Sequence, residues 1–186
     1  MSSASQQGAA SKAARENSHG IHELEKLLGE SPSPEMACAK LAQVLRVQRN
    51  EVALFRVENG SLRFLFPVEL RTAGVIPLSS SAVAARTVAT GTPLLSNSFA
   101  RVKHASLFES VKLGTALGED GSSEQMPIQK IMSVPVTQAD GVTVGVIQIS
   151  RKGLDPSLAG GDFTGDDLKK LEQSAAVFAR MAFMNE

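Results

Sequence analysis

The sequence predicts an α/β domain of the α+β kind, built from hairpins and amphipathic helices. Three observations carry this. Two apolar runs, Glu51 to Val57 and Leu62 to Pro67, flank Glu58-Asn59-Gly60-Ser61. Asn-Gly is the strongest short hairpin signal, because both turn residues need positive φ. Two longer runs, Ile128 to Val136 and Val142 to Arg151, flank a turn at Ala139-Asp140-Gly141. Each is apolar in part on both faces, as a central strand covered on two sides must be. Finally, Thr164 with Asp167 three positions on is close to a capping box. Leu168, Leu171, Ala175, Phe178 and Ala182 then repeat at alternating spacings of three and four, a heptad-type seam.

The remaining elements follow in order. Residues 1–19 are Ser, Ala, Gln and Gly with scattered charges, too polar to bury anything, and read as a disordered tail ahead of a domain at 20–186. The frequent Ala leaves a partner-ordered helical extension as the alternative. Ile21, Leu24 and Leu28 step at helical spacing up to Gly29. Ser33-Pro34-Glu35 opens a second helix, with Ser as N-cap, Pro in the first turn and an acid at the positive end. Ala37, Leu41, Val44 and Leu45 form its apolar stripe. Leu70 to Leu78 is an irregular strand. Ser79, Ser80 and Ser81 offer N-caps for an Ala-rich helix, Ala82 to Thr90, stopped by Gly91. Thr92 to Ser96 is a strand, and Ala105 to Leu113 a short helix or a loop with one turn. Gly114 to Met126, with three Gly and three acids, is a loop.

Composition removes several function classes. At 186 residues the chain is long enough for one core without staples. Nineteen basic residues balance nineteen acids, so the basic face that nucleic acid requires is not expected. One Cys excludes an internal disulfide and a Cys-rich zinc site. The start, Met-Ser-Ser-Ala-Ser-Gln-Gln, lacks a signal-peptide layout, and no apolar run reaches the ~20 residues of a membrane helix. A cytoplasmic protein with no membrane partner is the expectation.

The order of these elements, with Ser133-Val134-Pro135-Val136, Gly145-Val146-Ile147-Gln148-Ile149 and Phe163 leading into Asp166-Asp167-Leu168, resembles a GAF domain. GAF domains are small-molecule sensing modules of signalling proteins, and the likeness spans about residues 21 to 184. It implies an antiparallel sheet of about six strands, terminal helices on one face and a ligand-type pocket on the other. Cyclic-nucleotide-binding members carry Asn-Lys, then Phe, three residues, and Asp-Glu. Here Lys152, Phe163 and Asp167 match, whereas Arg151 replaces the Asn and Leu168 the Glu. In the family these look structural, which implies a Lys152–Asp167 clasp and gives no support for cyclic nucleotide binding.

Ligands in this family usually lie beside the short helix, under the variable segment. The resemblance therefore makes Ser79, Ser80 and Ser81 polar candidates, with free helix-start N–H groups favouring an anionic or polar head. Arg71 and Arg86 are possible completions, and solvated surface arginines otherwise. His104 sits in the variable region; a lone His in a polar stretch is also an ordinary surface residue. Phe99, Phe108 and Met132 are candidate apolar walls, equally explained by core packing, and Ser133 lies on the adjoining strand. Cys38 reads as a packed hydrophobe, and a single thiol supplies neither bilin attachment nor a resolving disulfide. His19 and His22 lie too far along the element order to complete a metal site, and no catalytic constellation stands out.

The function expected is a non-enzymatic sensing or regulatory module binding an unidentified small molecule, with output through a homodimer or a signalling partner or within a longer protein. The alternative is a ligand-free GAF fold serving as an interaction platform; a small redox enzyme ranks third. No cofactor or metal is implied. For the homodimer, Ile21, Leu24 and Leu28 are expected to pair with Phe178 and Met181 across a two-fold axis.

Overall fold

A computed structural model describes Lys12, Arg15 and residues 18–101 and 126–186. Helix α1 is formed over 18–26, and Lys12 and Arg15 are helical too, so the helix begins ahead of Ile21 and inside the stretch read as a tail. It passes into a 3-10 turn at Leu27–Glu30. Helix α2 (Pro34–Leu45) starts as expected: Ser33 is the N-cap, its hydroxyl accepting from Met36 N at 3.3 Å. Strands β1 (Val52–Glu58) and β2 (Ser61–Phe66) are joined by Asn59 and Gly60, at φ 48° and 75°. Two positive φ values in succession are what the Asn-Gly pair supplies.

Of the irregular run Leu70 to Leu78, only Val75–Pro77 is strand, β3. Helix α3 is Val83–Thr90, closed by Gly91 at φ 61°. Strand β4 is Leu94–Ser96, and the long hairpin is β5 (Ile128–Thr137) with β6 (Thr143–Lys152). Helix α4 (Gly165–Phe178) begins with a complete capping box between Thr164 and Asp167. Short Asp thus performs the role usual for Glu or Gln. The strand order is β3-β2-β1-β6-β5-β4, every neighbour antiparallel, giving six strands among the described residues.

Alternation along the central strands divides the core in two. Val52, Leu54, Met132, Val134, Val136, Ile147 and Ile149 face α1, α2 and α4. Ala53, Phe55, Ile131 and Val146 face the other way, with Phe64, Val83, Ala84 and Phe99. The first face is closed from within the chain. Leu24 and Phe178 are 0% exposed and Met181 1%. This corrects the expected two-fold contact: those three side chains fill the protomer's own core and leave nothing to offer a partner. Ile21 and Leu28 are half-buried against the same cluster. The heptad seam also stops early. Helix α4 ends at Phe178 and the chain turns, so Phe183 and Met184 fold back into the core while Ala182 is exposed. Val177, Met181 and Met184, which lie beside that seam in the sequence, are likewise buried in this cluster.

Candidate functional site

The region beside α3 differs from its expected form at the helix start. The N-cap is Ala82, with no side-chain cap, so none of the three serines caps α3 as proposed. Ser80 Oγ instead accepts from Ala82 N at 3.4 Å, and Ser79 and Ser81 are exposed. The chain reaches the helix through a turn in which Ser80 N donates to Pro77 O. Arg71 is committed elsewhere: its guanidinium pairs with Glu35 at 2.6 Å and donates from Nε to Leu65 O at 2.8 Å. Arg86 is exposed.

The strand period decides between Met132 and Ser133. They are adjacent on β5, so they point to opposite faces. Met132 belongs to the cluster under α1, α2 and α4, which corrects its assignment as a pocket wall. Ser133 faces α3, fully buried, where its Oγ lies 2.8 Å from Thr87 Oγ1. Thr87 Oγ1 donates to Val83 O at 2.9 Å, and Gln148 Nε2 donates to Ser133 Oγ at 3.3 Å. Because the Thr87 proton is spent on the carbonyl, the Ser133 proton goes to Thr87. Donation therefore runs from Gln148 through Ser133 and Thr87 to Val83 O. This order fixes the Gln148 amide, which presents its nitrogen to Ser133 and its oxygen away from it.

Two positions along β6 on the same face, Ser150 is 0% exposed, and among the described residues its hydroxyl has no hydrogen-bond partner. Phe99 is buried beside this row, and Phe55 and Phe64 pack with centroids 4.4 Å apart at its far side. Polar groups thus cross the middle of one sheet face, flanked by aromatic rings. Thr87, Gln148 and Ser150 were not singled out from sequence. The signal available was Gln148 and Ser150 at alternate positions of a strand otherwise read as core. His104 and Phe108 lie outside the described residues.

The loop before α4 is tied down, by other groups than the Lys152–Asp167 pair. The Asp167 carboxylate accepts from Thr164 N at 2.8 Å and Thr164 Oγ1 at 2.9 Å. Lys130 Nζ reaches Asp162 at 2.8 Å and Gly160 O at 2.6 Å. Arg151 stacks over the Phe163 ring, 4.4 Å from its centroid, and donates to Gly161 O. Asn97 bridges Phe163, accepting from its N at 2.8 Å and donating to its O at 2.9 Å. Lys152 is buried at the end of β6. Phe163, the matched aromatic, is therefore a clasp point held by Asn97, just past β4, and by Arg151 of β6.

Elsewhere, burial sets the titrations. The Cys38 thiol is fully buried and pushed well above its ordinary range by desolvation, which withholds the thiolate that redox chemistry needs. Burial also raises the Glu51 carboxyl, against the Gln48 N–H it accepts at 2.7 Å and the charges of Arg151 and Lys152. Among the described residues no group of His, Cys, Asp and Glu could hold a metal ion, and no helix is long and apolar enough to cross a membrane.

The sequence matches no protein-family model and no curated protein. Solved structures are more informative. The GAF domain of an Acinetobacter phosphoenolpyruvate-protein phosphotransferase superposes with a TM-score of 0.63 at 12% identity, covering 91% of this chain and 94% of that one. The GAF domain of A. Aeolicus nlh2, in an inactive state, gives 0.58 at 16% identity, over 94% and 99%. A free methionine-R-sulfoxide reductase from Neisseria meningitidis, solved with its substrate, gives 0.57 at 16% identity, over 93% and 91%. The chain has a GAF-like fold. Likeness at this identity fixes the architecture and leaves ligand and activity to the residues.

Proposed function

We propose that this protein is a signal-sensing or regulatory module that binds a small molecule on the α3 side of its sheet. The observation that carries the reading is the buried row Thr87, Ser133, Gln148 and Ser150 on a face that close packing would otherwise fill with apolar groups. A buried hydroxyl without a partner costs about 1–3 kcal/mol, and a ligand polar group is one way to recover it. The GAF domains among the neighbours include one from a putative sensor protein of Burkholderia vietnamiensis, which supports a role in signalling. The row favours an uncharged polar head over the anionic one expected from the serines, since Ser79 and Ser81 are exposed and cap nothing.

A non-enzymatic role fits the buried Cys38, the only cysteine in the chain. Output runs through a partner or a homodimer. On the terminal helices the half-buried Ile21 and Leu28 remain candidates for that contact. A ligand-free interaction platform is the second reading, favoured by Phe99, Phe55 and Phe64 already filling the α3 face.

Thermal melting against a panel of uncharged and charged metabolites separates the two. A compound at 100 times its Kd adds about 2.7 kcal/mol of stability. Sensing predicts that at least one compound raises Tm and that Gln148→Leu removes the rise. A flat panel with a normally folded protein favours the platform.

A further inference from the structure

Among the described residues, the most exposed large apolar side chains are Leu154 and Leu158, at 66% and 67%. Both belong to the loop between β6 and α4, four positions apart, with Pro156 exposed between them. A scattered exposed leucine is ordinary. Two on one turn, held outward by a fixed scaffold, are not.

The scaffold is the loop itself. Gly153 and Ala159 are buried and lie so close that a methyl group on Gly153 would sit 3.0 Å from Ala159 N. Gly153 N donates to Pro127 O at 3.1 Å, and Gly153 O accepts from the buried Gln129 Nε2 at 2.8 Å. Within the turn, Asp155 Oδ1 accepts from Ser157 N at 2.8 Å and from Leu158 N at 3.3 Å. Lys130 and Arg151 hold Gly160 O and Gly161 O beyond it. Compact loops whose ends meet are frequently functional. With the backbone tied to the sheet, little ordering entropy is lost when such a surface is covered.

The surroundings carry one sign of charge. From Gly153 to Asp167 the sequence has four acids and no basic residue, in a chain of formal net charge +0. Asp162 is paired with Lys130, and Asp167 caps α4. Asp155 and Asp166 are exposed and make no ion pair among the described residues. The Asp155 carboxyl is held below its ordinary range, first by the Ser157 hydroxyl, so it stays ionised at neutral pH.

We infer that this loop is a docking surface for a basic amphipathic helix of another protein. The apolar face of that helix packs over Leu154 and Leu158, and its Lys or Arg side chains meet Asp155 and the acids that follow. A helix suits the surface better than an added strand, because the amides of Gly153, Ser157 and Leu158 are already spent. A second copy fits poorly, since a two-fold contact would lay this segment on itself, acid against acid. An anionic lipid surface would be repelled in the same way. The inference stands whether or not the α3 face holds a ligand.

Fluorescence anisotropy tests it, with the full-length chain titrated into a labelled helical peptide of Leu and Lys, its Leu on one face. The matching peptide of Leu and Glu is the control. Saturable binding of the first alone is expected, weakening as salt rises. Leu154→Ser and Leu158→Ser should each weaken it about tenfold, the loss of one buried leucine contact. Asp155→Lys should weaken it about fivefold or more, by setting like charges against each other. Val142→Ser, at an apolar residue 54% exposed in the β5–β6 turn, should leave it within about twofold. Amide NMR shifts in the unmodified chain should centre on Leu154 to Ala159. Absence of saturation, equal binding of the Glu peptide or equal weakening by Val142→Ser would overturn the proposal. So would a halved mass of Leu158→Ser by light scattering, which assigns the surface to a second copy. Leucine-dependent binding to phosphatidylserine vesicles would overturn it in favour of a membrane. Circular dichroism of each variant establishes that it is folded before the titration is read.

Discussion

The two faces of the sheet have been solved differently by the same chain. Under α1, α2 and α4 an apolar cluster runs from Leu24 and Leu41 to Phe178 and Met184, and the buried Ser174 of α4 spends its hydroxyl within its own helix, on Lys170 O at 2.8 Å. Under α3 the cover is a helix of eight residues, and four buried polar side chains sit where apolar ones would pack. One face is committed to stability. The other retains hydrogen-bonding capacity that its described elements do not use, as at the Ser150 hydroxyl.

Breaking the closed face should cost most. Phe178→Ala removes a fully buried ring that meets Phe183 edge to face, with centroids 6.2 Å apart. The expected loss is about 3–5 kcal/mol by urea unfolding, at unchanged oligomeric state. A shift in oligomeric state with little loss of stability would restore Phe178 to an interface. Gly145→Ala probes the same face at its tightest point. The added methyl would collide with the Phe55 carbonyl oxygen and Met184 Cε. A loss of about 1–3 kcal/mol is expected from such overpacking, and a neutral result would mean that the strand pair is looser than its register.

The polar face should respond with opposite signs at two neighbouring serines. Ser133→Ala interrupts the relay and leaves Gln148 and Thr87 short of a partner, for a loss of about 1–3 kcal/mol. Ser150→Ala removes an unpartnered hydroxyl and should be neutral or slightly stabilising. Equal losses at both positions would erase the contrast between them.

The smallest effect belongs to the hairpin rim. The Glu58 carboxyl is held below its ordinary range by the hydrogen bond from Arg56, then by that from Arg63. Arg56 in turn donates to Phe183 O at 2.8 Å, joining the hairpin to the closed face. A depressed carboxylate contributes stability above its ordinary range, and that contribution is lost as pH falls through the folded value. Glu58→Gln should therefore cost a few tenths to about 1 kcal/mol at neutral pH. It should also flatten the fall in stability between about pH 5 and pH 3. An unchanged acid slope would remove Glu58 from the account.

Sequence reading recovered what local chemistry dictates. Asn59-Gly60, Ser33-Pro34, Gly91 and Thr164 each impose a backbone state on their own neighbours, and each element boundary fell where they stand. It failed where three-dimensional placement decides. Ser79 to Ser81 have good capping side chains, yet the turn after β3 delivers Ala82 to the cap position. Phe178 and Met181 have the right spacing for a seam, but spacing cannot say whether the partner is another chain or the folded-back Phe183 and Met184. The Lys152–Asp167 pairing missed that a short acid at the third helical position is already taken by its own N-cap. Gln148 and Ser133 became a pair only through the β5–β6 register, which sets them opposite one another.

The central claim is that the polar face holds a small molecule. Native mass spectrometry of rapidly purified full-length chain, compared with the denatured mass, tests it most directly. The account predicts a non-covalent adduct on the order of 200–400 Da, lost on denaturation and depleted in Gln148→Leu. Spectra that contain only the bare chain mass and its multiples, the same in both proteins, would contradict it.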